Sequence, residues 1–291
     1  MATKALLLIG AFAAITAAFD AEAAFSLLER QVDFGPRHPG SSGHEACKWW
    51  LIGELGRHCD ALALDAFDYV SPDGSFSFRL TNIIGVINPQ ARRRVMLGAH
   101  WDTRIFADEE PDPARRSLSV PGANDGASGT AVLLELARTF AQEPPAVGVL
   151  FVLFDGEDSG RIGGMDFCIG SERLARQGSL RYSAGVVADM VGDTDLAIYY
   201  EGNSLLDAPE LTRRVWDIAR ELGEEAFVRG YGHTLNDDHK PFLVRGLPTI
   251  LVVDFDYDFW HTTKDLPEHC SPKSLGAVGR VLEAFVRGEA P

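Results

Sequence analysis

The segment that most constrains the fold is Val147–Phe154, an apolar run with no polar interruption. A strand with one face in water alternates apolar and polar residues. A strand apolar on both faces belongs in the middle of a sheet covered from both sides. Ala184–Met190 and Thr249–Val253 read the same way, and Arg94–Gly98 is a shorter strand of this kind. Helical patterns separate them: an amphipathic helix over Gly126–Phe140, one beginning at Ser171–Ala175, one over Pro209–Leu222 and one over Lys240–Arg245, ending at Gly246. Ser271–Arg287 closes the chain as a helix, with Pro272 in its first turn, where proline is tolerated. Alternating strands and helices predict an α/β fold, a single domain with a central mixed, mostly parallel twisted sheet flanked by helices on both faces.

The first third has a different texture. Phe25–Val32 reads as a helix, and Gly35-Pro36-Arg37-His38-Pro39-Gly40 breaks it. Ser41 or Ser42 caps a second helix over Gly43–Arg57. Leu62–Val70 and Phe76–Ile87 alternate on either side of the turn Ser71-Pro72-Asp73-Gly74, the pattern of a hairpin. Thr103–Pro121, rich in Asp, Glu, Pro and Arg, is the longest irregular stretch and a candidate surface flap.

Lys4, the uncharged run Ala5–Phe19 and the small residues around Ala21-Glu22-Ala23-Ala24 have the layout of a secretory signal peptide. The expected division is a signal over residues 1–24, cut after Ala23 or Ala24, and a catalytic domain over 25–291. That implies an exported protein, periplasmic or secreted. The run is too short to span a membrane comfortably, and no membrane partner is expected. The chain of 291 residues carries a net charge of −15 without any basic cluster, which argues against nucleic acid as a partner. The acidity favours solubility and attracts cationic substrates mildly. Export permits disulfides, and the placement of Cys168 and Cys270 after two candidate site segments suggests that pair, with free buried thiols as the alternative; Cys47 and Cys59 complete the set. The default oligomeric state is a monomer.

In open α/β sheets, functional residues sit just beyond the carboxyl ends of the strands. This chain puts His100 and Asp102 after the first core strand, Asp155, Glu157 and Asp158 after the second, Asp189 after the third, and Trp260 and His261 shortly after the fourth. Asp125 precedes one helix, and Asp237-Asp238-His239 precedes another. Each residue has an ordinary role open to it. Asp125 and Asp237 can cap helices, Glu157 and Asp158 can be solvated loop charge, His100 a satisfied core histidine, and Trp260 core packing. Together they concentrate more carboxylates than one place tolerates unpaired. A divalent cation relieves that repulsion, and imidazole with carboxylate ligands suits zinc.

The ordered set His100-Trp101-Asp102, Gly122–Gly129, Phe154–Asp158, Asp189–Gly192, Asp237-Asp238-His239 and Trp260-His261-Thr262 resembles the metal-site motifs of the superfamily of zinc aminopeptidases and glutaminyl cyclases. The resemblance spans nearly all of the chain after Phe25. It implies zinc held by Asp125, Asp158 and His261, with Glu157 as general acid/base. Asp158 stands where the superfamily usually has Glu, one methylene longer. In the two-zinc aminopeptidases, residues matching His100 and Asp189 join a second ion; cyclases keep similar residues with one zinc.

Two features of the resemblance lean toward the cyclases, in their bacterial, animal-type branch. Asp237 stands where the aminopeptidases usually have serine; in cyclases this aspartate faces the residue matching Asp189. Trp260 precedes the metal histidine, as in cyclases, where the indole lines the pocket. The expectation is a glutaminyl-peptide cyclotransferase acting on peptides or proteins with N-terminal Gln. Glu157, Asp189 and Asp237 would be catalytic, Trp260 and Asp238 would bind substrate, and one Zn2+ is expected. The alternatives are a zinc aminopeptidase with two ions and a non-catalytic binding domain.

Overall fold

A computed structural model describes residues 18–290. In chain order its strands are β1 (Ala61–Val70), β2 (Ser77–Ile87), β3 (Arg94–His100), β4 (Gly148–Phe154), β5 (Ala184–Asp189), β6 (Ile198–Tyr200), β7 (Phe227–Tyr231) and β8 (Thr249–Val253). Six of them form one sheet in the order β1-β2-β4-β3-β5-β8, and β6 and β7 pair separately. The hairpin β1/β2 is antiparallel, and β2 joins β4 antiparallel. The pairings β4/β3, β3/β5 and β5/β8 are parallel. The mixed, mostly parallel sheet is therefore as expected, with the hairpin supplying its antiparallel side.

The helices are α1 (Ala21–Val32), α2 (Ser42–Gly56), α3 (Ala127–Gln142), α4 (Ile169–Gln177), α5 (Gly202–Asp207), α6 (Pro209–Leu222), α7 (Lys240–Leu243) and α8 (Pro272–Arg287). They cover the sheet from both sides, and β4 shows why its sequence lacks alternation. Val149, Phe151 and Leu153 enter the core beneath α1, α2, α3 and α8. Leu150, Val152 and Phe154 enter a second core with Leu174 of α4 and Phe242 of α7. Among the described residues, no helix is long and apolar enough to cross a membrane.

The sequence pattern missed the small sheet β6/β7 and helix α5, whose segments are too short to show a period. It also placed the first helix too late. Asp20 caps α1 by accepting from the N–H groups of Glu22 and Ala23, and Phe19 packs into the core against α8. The boundary expected between Ala24 and Phe25 thus falls inside a capped helix, and the expected signal segment lies mostly outside the described residues. All four cysteines are free thiols. The suggested Cys168–Cys270 pair is not formed because the two point to different places: Cys168 Sγ faces Glu157, and Cys270 packs beside Gly192.

Candidate active site

Four parallel strands, β4, β3, β5 and β8, end side by side, and the turns that follow build the site. After β3, Asp102 is fully buried and its two carboxylate oxygens accept from the N–H groups of Glu157 and Asp158, at 3.1 and 3.2 Å. It thereby holds the turn after β4, a short 3-10 segment over Glu157–Ser159. Gly126 has φ +103°, and a Cβ there would sit 2.4 Å from the Asp102 carbonyl oxygen. It starts α3 without any side-chain cap, so the Asp125 carboxylate is free of the helix-capping role open to it in the sequence. Asp265 does the local work instead, accepting from Asn124 N–H at 2.7 Å and Asp125 N–H at 3.0 Å.

Two groups of ligand atoms result, each gathered within 4.8 Å: Asp125, Asp158 and His261, and His100, Asp125 and Asp189. In the first, His261 Nε2 is 3.0 Å from Asp158 Oδ1 and 3.6 Å from Asp125 Oδ2. The shorter side chain of Asp158 therefore reaches. In the second, His100 Nε2 is 3.1 Å from Asp125 Oδ1 and 3.0 Å from Asp189 Oδ1, and its Nδ1 lies 3.6 Å from Asp102. Asp125 Oδ2 and Asp158 Oδ2 are buried and accept no hydrogen bond from the described residues. Buried carboxylate oxygens left so are costly unless paired or bound to metal. This donor set of carboxylates and imidazole fits zinc.

The first group opens into a cavity of about 470 Å³ whose lining includes Asp125, Glu157, Asp158, Asp189, Asp237, Trp260 and His261. The Trp260 ring stacks on His261 at 3.7 Å between centroids and tilts against Phe255 at 5.1 Å. Of the residues singled out in the sequence, His100, Asp102, Asp155, Asp238 and His239 do not line this cavity. His100 lies beneath Asp125 and Asp189. Asp238 is fully buried behind Asp237, which corrects the expectation that it touches substrate.

Charge crowding shapes the titration of these groups. Burial pushes Glu157 well above the usual carboxyl range; Asp237, Asp238 and Asp158 add to that, while His100 opposes it. Burial, then the charge on Asp189, raises Asp237 to about 7. Burial also dominates at Asp158 and Asp189 and raises both, against the pull of His261 and His100 respectively. At Asp125 burial pushes up too, but the two imidazoles win and hold it low. His261 rises to about 9, since Asp158 and Asp108 outweigh its own burial. A divalent cation would invert this balance for the ligand carboxylates.

Residues 82–286 match the model of peptidase family M28. The chain belongs to that family. Among M28 relatives of known structure, it superposes on a Zn-dependent exopeptidase from Parabacteroides distasonis with a TM-score of 0.90 and 31% identity, covering 94% of this chain and 100% of that one. It superposes on the glutaminyl cyclase of Bacteroides thetaiotaomicron, bound to N-acetylhistamine, with a TM-score of 0.89 and 33% identity, covering 94% and 99%. It is 28% identical to the glutaminyl-peptide cyclotransferase of Bos taurus over 86% of this chain and 77% of that protein.

Within this M28 site, sequence reasoning overlooked the supporting roles of Asp102, Asp265, Arg104, Asp108 and Cys168. Asp102 and Asp265 follow His100 and His261 by two and four residues, a spacing that could have marked them. Cys168 carries no such mark; its thiol donates to Glu157 Oε1 at 3.3 Å across a turn of the chain.

Proposed function

We propose that this chain is a zinc-dependent glutaminyl-peptide cyclotransferase that converts an N-terminal glutamine to pyroglutamate and releases ammonia. The observation that carries the reading is that Asp189 and Asp237 line the same cavity as the three ligand candidates. Burial, then the charge on Asp189, raises Asp237 to about 7, so a proton held on Asp237 at neutral pH relieves the crowding of negative charge around Asp189. The same two oxygen-rich groups suit a substrate ammonium or amine. The likeness to the bovine glutaminyl-peptide cyclotransferase and to the Bacteroides thetaiotaomicron glutaminyl cyclase supports the same reading.

Asp125, Asp158 and His261 would hold one zinc ion. When bound there, zinc supplies Lewis acidity toward the side-chain carbonyl of the glutamine. Asp189 and Asp237 orient the α-amine. Glu157 takes a proton from that amine as its nitrogen bonds to the side-chain carbonyl carbon. The bond from that carbon to the amide nitrogen then breaks, and Glu157 returns the proton to the leaving ammonia. A carboxyl raised by burial is suited to both taking and giving a proton. Amine and carbonyl belong to one residue, so holding that residue folded in the cavity supplies proximity. Trp260, lying flat on His261, closes the wall and keeps water from the carbonyl.

One observation favours a second reading. His100, Asp125 and Asp189 also lie within ligand reach of each other, which would allow a second ion and an aminopeptidase. The two are separated by offering the protein a peptide beginning with Gln and a Leu-anilide. Ammonia from the first is expected; free amine from the second without ammonia sinks the cyclase reading. A default monomer and export to the periplasm or beyond complete the proposal. Because Phe19 and Asp20 belong to the folded body, processing is expected to leave both on the mature protein, which intact-mass analysis of the exported form would check.

A further inference from the structure

The Thr103–Pro121 segment has the composition of a surface flap, yet its first residues are buried and tied to the metal-site ligands. Arg104 is 1% exposed and its donors are in use. Nε and Nη2 donate to both oxygens of Asp108, at 3.1 and 2.6 Å. Nη1 donates to the carbonyls of Asp158 at 3.2 Å and Gly160 at 2.8 Å, and lies 3.4 Å from Asp158 Oδ1. A buried guanidinium is tolerated only when its planar fork is matched in this way. With its donors so occupied, Arg104 is ill-placed to take a substrate carboxylate.

Asp108 carries the connection onward. Its Oδ1 is 3.3 Å from His261 Nδ1, while His261 Nε2 faces Asp125 and Asp158. A metal-ligating imidazole generally donates its second N–H to a carboxylate, which fixes tautomer and ring orientation. The loop also grips the backbone around the histidine. Glu109 N–H donates to the His261 carbonyl at 3.4 Å, and the Glu110 carboxylate accepts from Thr263 N–H and Oγ1 at 2.9 and 2.8 Å. His261 needs such a grip, because its φ of +54° is one a non-glycine residue adopts only when its surroundings impose it.

We propose that the Thr103–Pro121 loop is a brace for the metal site, in which Arg104 and Asp108 are positioning residues linking Asp158 to His261. One guanidinium fixes the turn that carries Asp158, and the carboxylate it holds aims the His261 ring. Both residues line the edge of the cavity, but their polar atoms are turned to each other, to the Asp158 turn and to His261. The brace acts on one group of ligands only, since His100 and Asp189 make no contact with it in the hydrogen bonds or ion pairs of the described residues.

The inference rests on Asp125, Asp158 and His261 being zinc ligands, and the test separates the two. Zinc affinity is measured by chelator competition for the wild type, Asp125→Asn, Asp108→Asn, Arg104→Lys and Arg104→Met. The melting temperature of each metal-free protein and the visible spectrum of each cobalt-loaded one are recorded beside it. Asp108 is half-exposed, so its Asn variant is expected to fold, with a metal-free melting temperature lowered by the loss of its ion pair to the buried Arg104. The brace predicts a loss of zinc affinity of about 10–100-fold in Asp108→Asn, and an altered cobalt spectrum. Arg104→Lys loses the fork and should fall in the same range; Arg104→Met should equal or exceed it where it folds. Zinc affinity within twofold of the wild type in Asp108→Asn overturns the brace even if both Arg104 variants fail to fold. Wild-type protein that binds no zinc, or Asp125→Asn that binds it normally, overturns the ligand assignment and the brace with it.

Discussion

The two groups of metal-ligating side chains share Asp125 but sit in different surroundings. Asp158 and His261 line the cavity, are tied through Arg104 and Asp108, and flank an Asp125 oxygen that accepts no hydrogen bond from the described residues. His100 lies outside the cavity lining with its Nε2 held between Asp125 and Asp189, and its Nδ1 3.6 Å from Asp102. Asp189 shares the cavity with Asp237, a second carboxyl held to about 7. The lesson is that ligand-type side chains within reach of one another are not equivalent sites. One group presents lone pairs toward open space, and the other spends them on itself and on a neighbouring acid.

The hardest blow to this distinction is Asp125→Asn. Because both groups use Asp125, zinc binding is expected to fall by several orders of magnitude, read by metal analysis after dialysis; retention of a full equivalent would mean the shared residue is not a ligand. Glu157→Gln comes next, with turnover down about 10²–10⁴-fold at an unchanged zinc content. Loss of zinc along with activity would move Glu157 from proton transfer into the metal site. His100→Ala sharpens the comparison most directly. One zinc per chain should remain, bound about tenfold more weakly through the lost contact to Asp125. A drop from two ions to one would break the distinction and favour the aminopeptidase.

A last test reads stability and concerns Asp237. Asp237 is raised to about 7 in the folded chain from 3.8, so the folded state holds its proton where the unfolded state has lost it. Its contribution to stability is therefore complete below pH 3.8 and disappears as pH rises through 7. Relative to the wild type, metal-free Asp237→Asn should gain on the order of 3 kcal/mol between pH 4 and pH 7, followed by denaturant titration. A flat difference across that range would show that Asp237 is not raised in the folded chain.

Much of this molecule is legible residue by residue. The apolar runs at Val147–Phe154, Ala184–Met190 and Thr249–Val253 can only be strands with both faces covered, and β4, β5 and β8 are fully buried. Once strand ends are located, several candidate site residues follow, because Asp158 and Asp189 stand at or just beyond them and His261 a short loop after β8. Short elements without a period, such as β6 and α5, leave no such trace. Asp238 shows another limit: its neighbour Asp237 faces the cavity, and the sequence cannot say which of two adjacent acids turns inward.

Local chemistry thus determined the strands, their ends and the residue types gathered there, since these depend on burial patterns and on spacing along the chain. Tertiary structure alone decided which of those residues meet and in what state. Arg104 reaches Asp158 across 54 residues, Asp265 reaches Asn124 across 141, and His100 reaches Asp189 across 89. Each contact is set by how parallel strands stack side by side. Burial then sets charge, because moving several carboxylates out of water together raises some of them and forces the rest toward imidazole, guanidinium or a metal ion.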